Sequence, residues 1–205
     1  LDREATPDEY VAVSRKIAGD LGIDLFDNTT FETNRLMFWP SSPKDVDYYF
    51  EKQDGPWLNV DEILASYIDW KDTSLWPTAD KKIRELGEAA NRQQDPELKK
   101  GIVGAFCRTY TISEAIAIFL TDQYIATADE KRYTYTSGST AAGLMVYEDK
   151  FAYSHHGTDP CSGKLSNVFD LVRLHLFGHL DGDNYAAQKP KSFFAMEDFA
   201  RADDA

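Results

Sequence analysis

"GLMVYEDKFAYSHHGTDPCSGKLSNVFDLVRLHLFG", residues 143–178, is the stretch on which the reading of this chain turns. Its first third, 143–154, has strand chemistry on both sides of Glu148-Asp149, the pattern of a β-hairpin turning at that acidic pair. Asn167 then stands before Val168, Phe169, Leu171, Val172, Leu174 and Leu176. That order predicts a helix capped by Asn167, with an apolar body and a stop at Gly178. Between hairpin and helix lie His155, His156 and Cys161. With His175 and His179, all four histidines of the chain and one of its two cysteines fall between residues 155 and 179.

That density raises three readings: a metal site, a nucleophilic cluster, or a set of structural histidines. Neighbours in an extended segment point to opposite faces, so His155 and His156 reach one ion only if the chain turns sharply there. A structural zinc site shows two close ligand pairs, and the second pair here, His175 and His179, is interrupted by Gly178. Zinc is therefore not expected, with His155, His156 and Cys161 as its candidate ligands. Cys161, His156 and Asp159 have the residue types of a nucleophilic triad but no recognisable nucleophile context. Hydrogen-bonded structural histidines are the favoured reading.

Working outward, "RYTYT" (132–136) has strand chemistry, and "TISE" (111–114) is a capping box that opens a helix over Ile112–Leu120. Residues 72–100 are rich in charge and amides, which predicts a solvated helix and linker. "TPDE" (6–9) is a second capping box, with Tyr10, Val13, Ile17 and Leu21 at helical spacing and Gly22 as the stop. An extended stretch is expected around Ile23–Phe26, and strands at Leu36–Trp39 and Tyr48–Lys52. A turn is expected at Asp54-Gly55-Pro56, then a helix capped by Asn59 with Glu62 three residues on.

Composition bounds the function. The chain has 205 residues and a net charge of −13, which argues against broad electrostatic binding of nucleic acid. No apolar run has the roughly 18–20 residues of a membrane span, so no membrane partner is expected. Two cysteines make no disulfide framework, and reduced thiols in a cytoplasmic setting are expected. The chain opens on Leu and reads as a fragment of a longer protein.

"GIDLFDNTTFETNRLMFWPSS" (22–42) puts two carboxylates, Asp24 and Asp27, ahead of Arg35. Phosphoryl transfer uses carboxylates to hold divalent ions and arginine to hold phosphate. Two aspartates three residues apart are more often turn formers.

"FDNTTFETNRLMFWPSSPKDVDYYFEKQDGPWLNVDEILASYIDW" resembles the third motif, with the segment C-terminal to it, in the archaeo-eukaryotic-type primase domain of phage and plasmid replication proteins. "GIVGAFCRTYTISEAIAIFL" and the stretch from "RYTYT" to "RLHLFG" resemble the segment linking that domain to a helicase of the virulence-associated-protein-E type. The resemblance implies an α+β chain. Residues 1–75 would be the C-terminal portion of a primase-like domain, 76–99 a charged helical linker, 100–182 a ribbon-like module of helix, hairpin and helix, and 183–205 a flexible tail. It implies Asp27 as a metal-binding carboxylate for Mg²⁺ or Mn²⁺ and Arg35 as a contact to nucleotide or template phosphate. The implied partners are a DNA template, nucleoside triphosphates and a C-terminal helicase domain. The first two primase motifs and the G-x-x-x-x-G-K-[ST] loop are absent, so the chain by itself is expected to be inactive in primer synthesis. The module is similar to half of the zinc ribbon of bacterial primases. Ser154, His155 and His156 stand where ligands would be, and "GSTAAG" (138–143) replaces the earlier ligand pair. Packing of Phe151, Tyr153, Phe169 and Leu174 is expected to stabilise it instead. Two other functions stand beside this one: a non-catalytic module docking to a helicase or single-stranded DNA through 130–180, and a small metal-dependent hydrolase using Asp24, Asp27 and the histidines.

Overall fold

The computed structural model describes residues 1–31, 33, 42–52, 54–79, 86, 89–90, 93–182 and 189–203. The first helix, α1 (Pro7–Leu21), is built as its sequence predicts. Thr6 accepts from the Glu9 N–H, the Glu9 side chain accepts from the Thr6 N–H, and Gly22 ends the helix at φ 103°. Asn59 caps a shorter helix, α2 (Val60–Ala65). Ala12, Val13, Val60, Leu64 and Trp76 form one small core. Arg3 closes the edge of this unit, with its Nη2 at 3.0 Å from Glu9 and 2.6 Å from Asp61.

The second core belongs to the rest of the chain. Helices α3 (Gly101–Thr109), α4 (Ile112–Phe119), α5 (Val168–Phe177) and α6 (Lys191–Ala202) pack on a sheet of β1 (Tyr124–Ala126), β2 (Arg132–Tyr135), β3 (Leu144–Tyr147), β4 (Phe151–Ser154) and β5 (Leu165–Asn167). The sheet is an antiparallel meander in chain order. The fold class is α+β. The hairpin turns at Glu148 and Asp149, both at positive φ (53° and 54°), and the Lys150 N–H closes on the Tyr147 carbonyl at 3.0 Å. Two left-handed central residues match the twist of a tight hairpin. No single helix among the described residues is long and apolar enough to cross a membrane.

Side-chain alternation gives the sheet two working faces. Leu144 and Val146 enter the helical core, while Met145 and Tyr147 face the other way, towards Arg15 and Trp76 of the N-terminal unit. Backbone ties join the two: Ala141 N–H donates to Lys71 at 2.6 Å, and Thr73 N–H donates to Ala141 at 3.2 Å.

Several expectations are corrected. Ile23–Leu25 is a single 3₁₀ turn, not an extended stretch, because Leu25 and Phe26 N–H groups close back on Gly22 and Ile23 carbonyls. Residues 48–52 carry no strand. Tyr48, Tyr49 and Phe50 are exposed, and a strand without a paired neighbour leaves its backbone to water. No turn is assigned at 54–56. The expected flexible tail contains α6, whose Met196 is wholly buried. Phe193, Met196, Phe199 and Ala200 recur at helical spacing and join the second core. The expected strand at Leu36–Trp39 lies outside the described residues.

Candidate functional site: a histidine staple and a buried Asp-Cys-His-Tyr network

His156 leaves the end of β4 and turns inward, where it is 1% exposed. Its Nε2 accepts from two backbone N–H groups, Tyr135 at 3.2 Å and Gly143 at 3.1 Å. Two donors on one nitrogen require that nitrogen to be unprotonated. The ring proton therefore sits on Nδ1, 2.8 Å from Thr140 Oγ1. Burial pushes the imidazole pKa down, which agrees with a neutral ring. The loop around it is shaped to the ring. A Cβ on Gly143 would meet His156 at 2.5 Å, and one on Gly138 would meet it at 3.1 Å. "GSTAAG" thus grips an imidazole. The expected stabilising residues Phe151, Tyr153 and Phe169 are buried too, but the staple is polar and local.

The second cluster is centred on Asp159. Tyr124 donates its hydroxyl to Asp159 Oδ2 at 2.8 Å. The backbone N–H and the thiol of Cys161 both donate to Oδ1 at 3.0 Å. His175 Nε2 is 3.2 Å from Oδ1 and 2.7 Å from the Tyr124 oxygen. The side chains of Asp159 and His175 are 0% and 2% exposed. Burial pushes the Asp159 carboxyl up, but hydrogen bonds from His175, Cys161 and Ser154 outweigh it and hold the pKa at about 2. Burial, with the adjacent Asp159 carboxylate, pushes the Cys161 thiol well above its ordinary value. A protonated, wholly buried thiol is not a nucleophile.

Asp159, Cys161 and His175 bring one ligand atom each within 4.8 Å of one another. Those three, and not His155 and His156, are the spacing-compatible metal set among the described residues. A metal there would have to displace the Tyr124 hydrogen bonds and deprotonate a thiol held protonated. The donor set fits a satisfied polar core better than a metal shell. The triad considered from sequence is corrected in one member: His175, in the last turn of α5, takes the place assigned to His156. His155 packs its ring edge-on against Tyr153, 4.9 Å between centroids. His179 sits in the single turn Gly178–Leu180, beyond α5. Tyr124 has no motif around it, and only the fold brings it to the cluster.

Asp27 precedes the turn Asn28–Phe31, its carbonyl accepting from Thr30 N–H at 2.9 Å, and its residue is exposed, as is Asp24. Arg35 lies outside the described residues. Asp27 belongs to no group of three or more potential metal ligands among the described residues. One carboxylate does not organise a two-ion centre, so the described residues do not by themselves fit a Mg²⁺ or Mn²⁺ site.

Comparison with known proteins gives one family: residues 1–79 match the model of the VapE N-terminal domain. The match agrees with a VapE-like phage or plasmid replication protein. No curated protein and no solved structure matches the chain.

Proposed function

We propose, with the VapE N-terminal domain as premise, that this chain is a non-catalytic segment of a replication protein that contributes to primer synthesis on a DNA template in the intact protein. The observation that carries the non-catalytic part is the closure of Asp159, Cys161 and His175 inside the core, where no substrate reaches them. The small-hydrolase reading loses His156 and His175 in the same way. The likeness to a primase supports Asp27 as a metal carboxylate completed by residues elsewhere in the intact protein, and Arg35 as a phosphate contact. Four aromatic residues, Tyr48, Tyr49, Phe50 and Trp57, are largely exposed within ten positions. A local run of that kind supports docking to a partner surface, a C-terminal helicase domain being the partner of choice. With a net charge of −13, the chain is poorly suited to track a nucleic-acid backbone alone.

Asp27→Ala tests the assignment in the intact protein. Primer synthesis should be abolished while stability changes by no more than about 0.5 kcal/mol, as for a typical substitution at an exposed position. Arg35→Ala should mainly weaken nucleotide or template binding. If Asp27 only shapes the turn at Asn28–Phe31, Asp27→Ala costs about 1 kcal/mol and leaves synthesis intact. That result would remove the primase reading.

A further inference from the structure

Residues 135–143 join β2 to β3, and the segment is held from two sides. On its inner side lies His156. The imidazole accepts from the Tyr135 and Gly143 N–H groups and bonds to the Thr140 hydroxyl, so it touches both ends of the segment and its middle. On its outer side lies the N-terminal unit. The Ser139 hydroxyl donates to Asp8, in the first turn of α1. The Ala141 N–H donates to the Lys71 carbonyl at 2.6 Å. The Ala141 carbonyl accepts from the Thr73 N–H at 3.2 Å and from the Thr73 hydroxyl at 3.1 Å. Asp72 and Ala141 form a parallel bridge, so a short length of each unit is paired like two strands.

Inner and outer contacts alternate along the segment: Ser139 outward, Thr140 inward, Ala141 outward, Gly143 inward. Alternation couples the two sides, because a rotation of the backbone that frees one set of groups moves the other. Ala142, between the docked Ala141 and the gripped Gly143, is at φ 55°. A left-handed alanine is strained and persists where its surroundings over-determine it. Its N–H donates to Thr134 Oγ1 and its carbonyl accepts from Arg132 Nη1, both at 3.0 Å. The segment is therefore a held conformation, closed around the imidazole. The apolar cores of the two units are separate clusters among the described residues. Docking of the N-terminal unit thus draws on hydrogen bonds of modest net worth, made to a segment that must keep this shape.

We propose that residues 135–143 are a latch: gripped from inside by His156, they hold the N-terminal unit over the outer face of the sheet, and loosening the grip opens the two units while each keeps its own core. Opening bares the face of β2 and β3 that carries Arg132, Met145 and Tyr147. The latch is independent of Asp27 and Arg35 and of where primer synthesis is housed.

The test uses the whole 205-residue chain. Spin labels are placed at Leu21→Cys in α1 and Ile118→Cys in α4, both exposed, while the native Cys107 and Cys161 are buried and take none. Double electron–electron resonance reads their separation, and amide hydrogen exchange is the second measurement. The wild-type chain should show one narrow distribution. A Cβ at Gly143 meets the His156 ring at 2.5 Å, so Gly143→Ala displaces the grip without removing a polar group. That variant should add a population at longer separation and speed exchange of the Thr73 amide at least tenfold. Amides of Ala12 and Val13 in α1 and of Leu171 and Val172 in α5 should keep wild-type protection. Asp8→Ala, which removes an outer contact and leaves the imidazole alone, should open the same pair. If Gly143→Ala misfolds, Thr140→Val, which keeps the volume and removes the hydroxyl, carries the test with the same readings. A variant that is less stable yet keeps the wild-type separation and Thr73 exchange would show that His156 serves the sheet alone and would overturn the proposal. A wild-type chain already broad in separation would do the same. So would opening that comes only with lost α5 protection in both pocket variants, since that is unfolding of the sheet unit and not release.

Discussion

A single imidazole holds the end of the hairpin. His156 satisfies the N–H groups of Tyr135 and Gly143 and the hydroxyl of Thr140, all three from the segment 135–143 that joins β2 to β3. His156→Ala should therefore cost at least about 3 kcal/mol, since each buried polar group left without a partner costs about 1–3 kcal/mol. The pH dependence has a defined sign. The His156 pKa is lowered by burial, so its contribution is complete above the ordinary value of 6.5 and is lost as pH falls through and below it. The Asp159 pKa is also lowered, from 3.8 to about 2, so its contribution is complete above 3.8 and is lost between that value and about pH 2. Urea unfolding of the wild type should weaken in two steps, one beginning near pH 6.5 and one below pH 4, the second worth about 2 kcal/mol. The upper step should be missing in His156→Ala and the lower one in Asp159→Asn. A wild-type stability flat from pH 7.5 to 5 would mean that His156 is not held neutral.

At the scale of elements, caps and turns carried most of the legible signal. Both capping boxes, the Asn59 and Asn167 caps and the Glu148-Asp149 turn act within four residues of chain, so sequence alone shows them. The elements that sequence did not show depend on partners further off. The strands Tyr124–Ala126 and Leu165–Asn167 are three residues each, too short for alternation to register, and exist because β2 and β4 offer edges to pair with. Helix α6 has no side-chain cap of its own. Asp181 accepts from the Ser192 N–H at 2.8 Å in its place, and Arg173 of α5 donates to the Ser192 hydroxyl at 2.7 Å. Met196→Ala reads the consequence. If α6 is part of the core, this variant loses about 2–5 kcal/mol in chemical denaturation. A change within about 0.5 kcal/mol would return residues 183–205 to the status of a loose tail.

For the whole molecule the question is how two cores act together. The N-terminal core and the sheet core are separate clusters. Between them run the backbone bonds that join Lys71 and Thr73 to Ala141 and the hydrogen bond from the Ser139 hydroxyl to Asp8, while Lys150 ties the intervening segment to the sheet through Asp95 at 2.6 Å. We expect trypsin to cut first within the charged segment 76–99, and the two fragments to co-elute in size-exclusion chromatography, because the outer sheet face still holds Arg15 and Trp76. Separation of the fragments at neutral pH and moderate salt would show that these ties are too weak to hold the units together. Resistance of 76–99 with cleavage elsewhere would count against a boundary there.

Local chemistry was enough to determine the capped helices, the hairpin and its turn, and the exclusion of a broad basic surface. These features rest on interactions between near neighbours or on composition, and both are written in order along the chain. The tertiary structure alone decided which histidine meets which partner. His156 and His175 are the same residue type within one short stretch of sequence. One was drawn to Thr140 and Gly143, sixteen and thirteen positions back, and the other to Asp159 and Tyr124, up to fifty-one positions away. Spacing could not separate them, because burial and the register of the sheet set those distances. The same holds for the cavity that Arg15 and Arg132 line, since the two belong to different units and share it only once the N-terminal core lies against the outer face of the sheet.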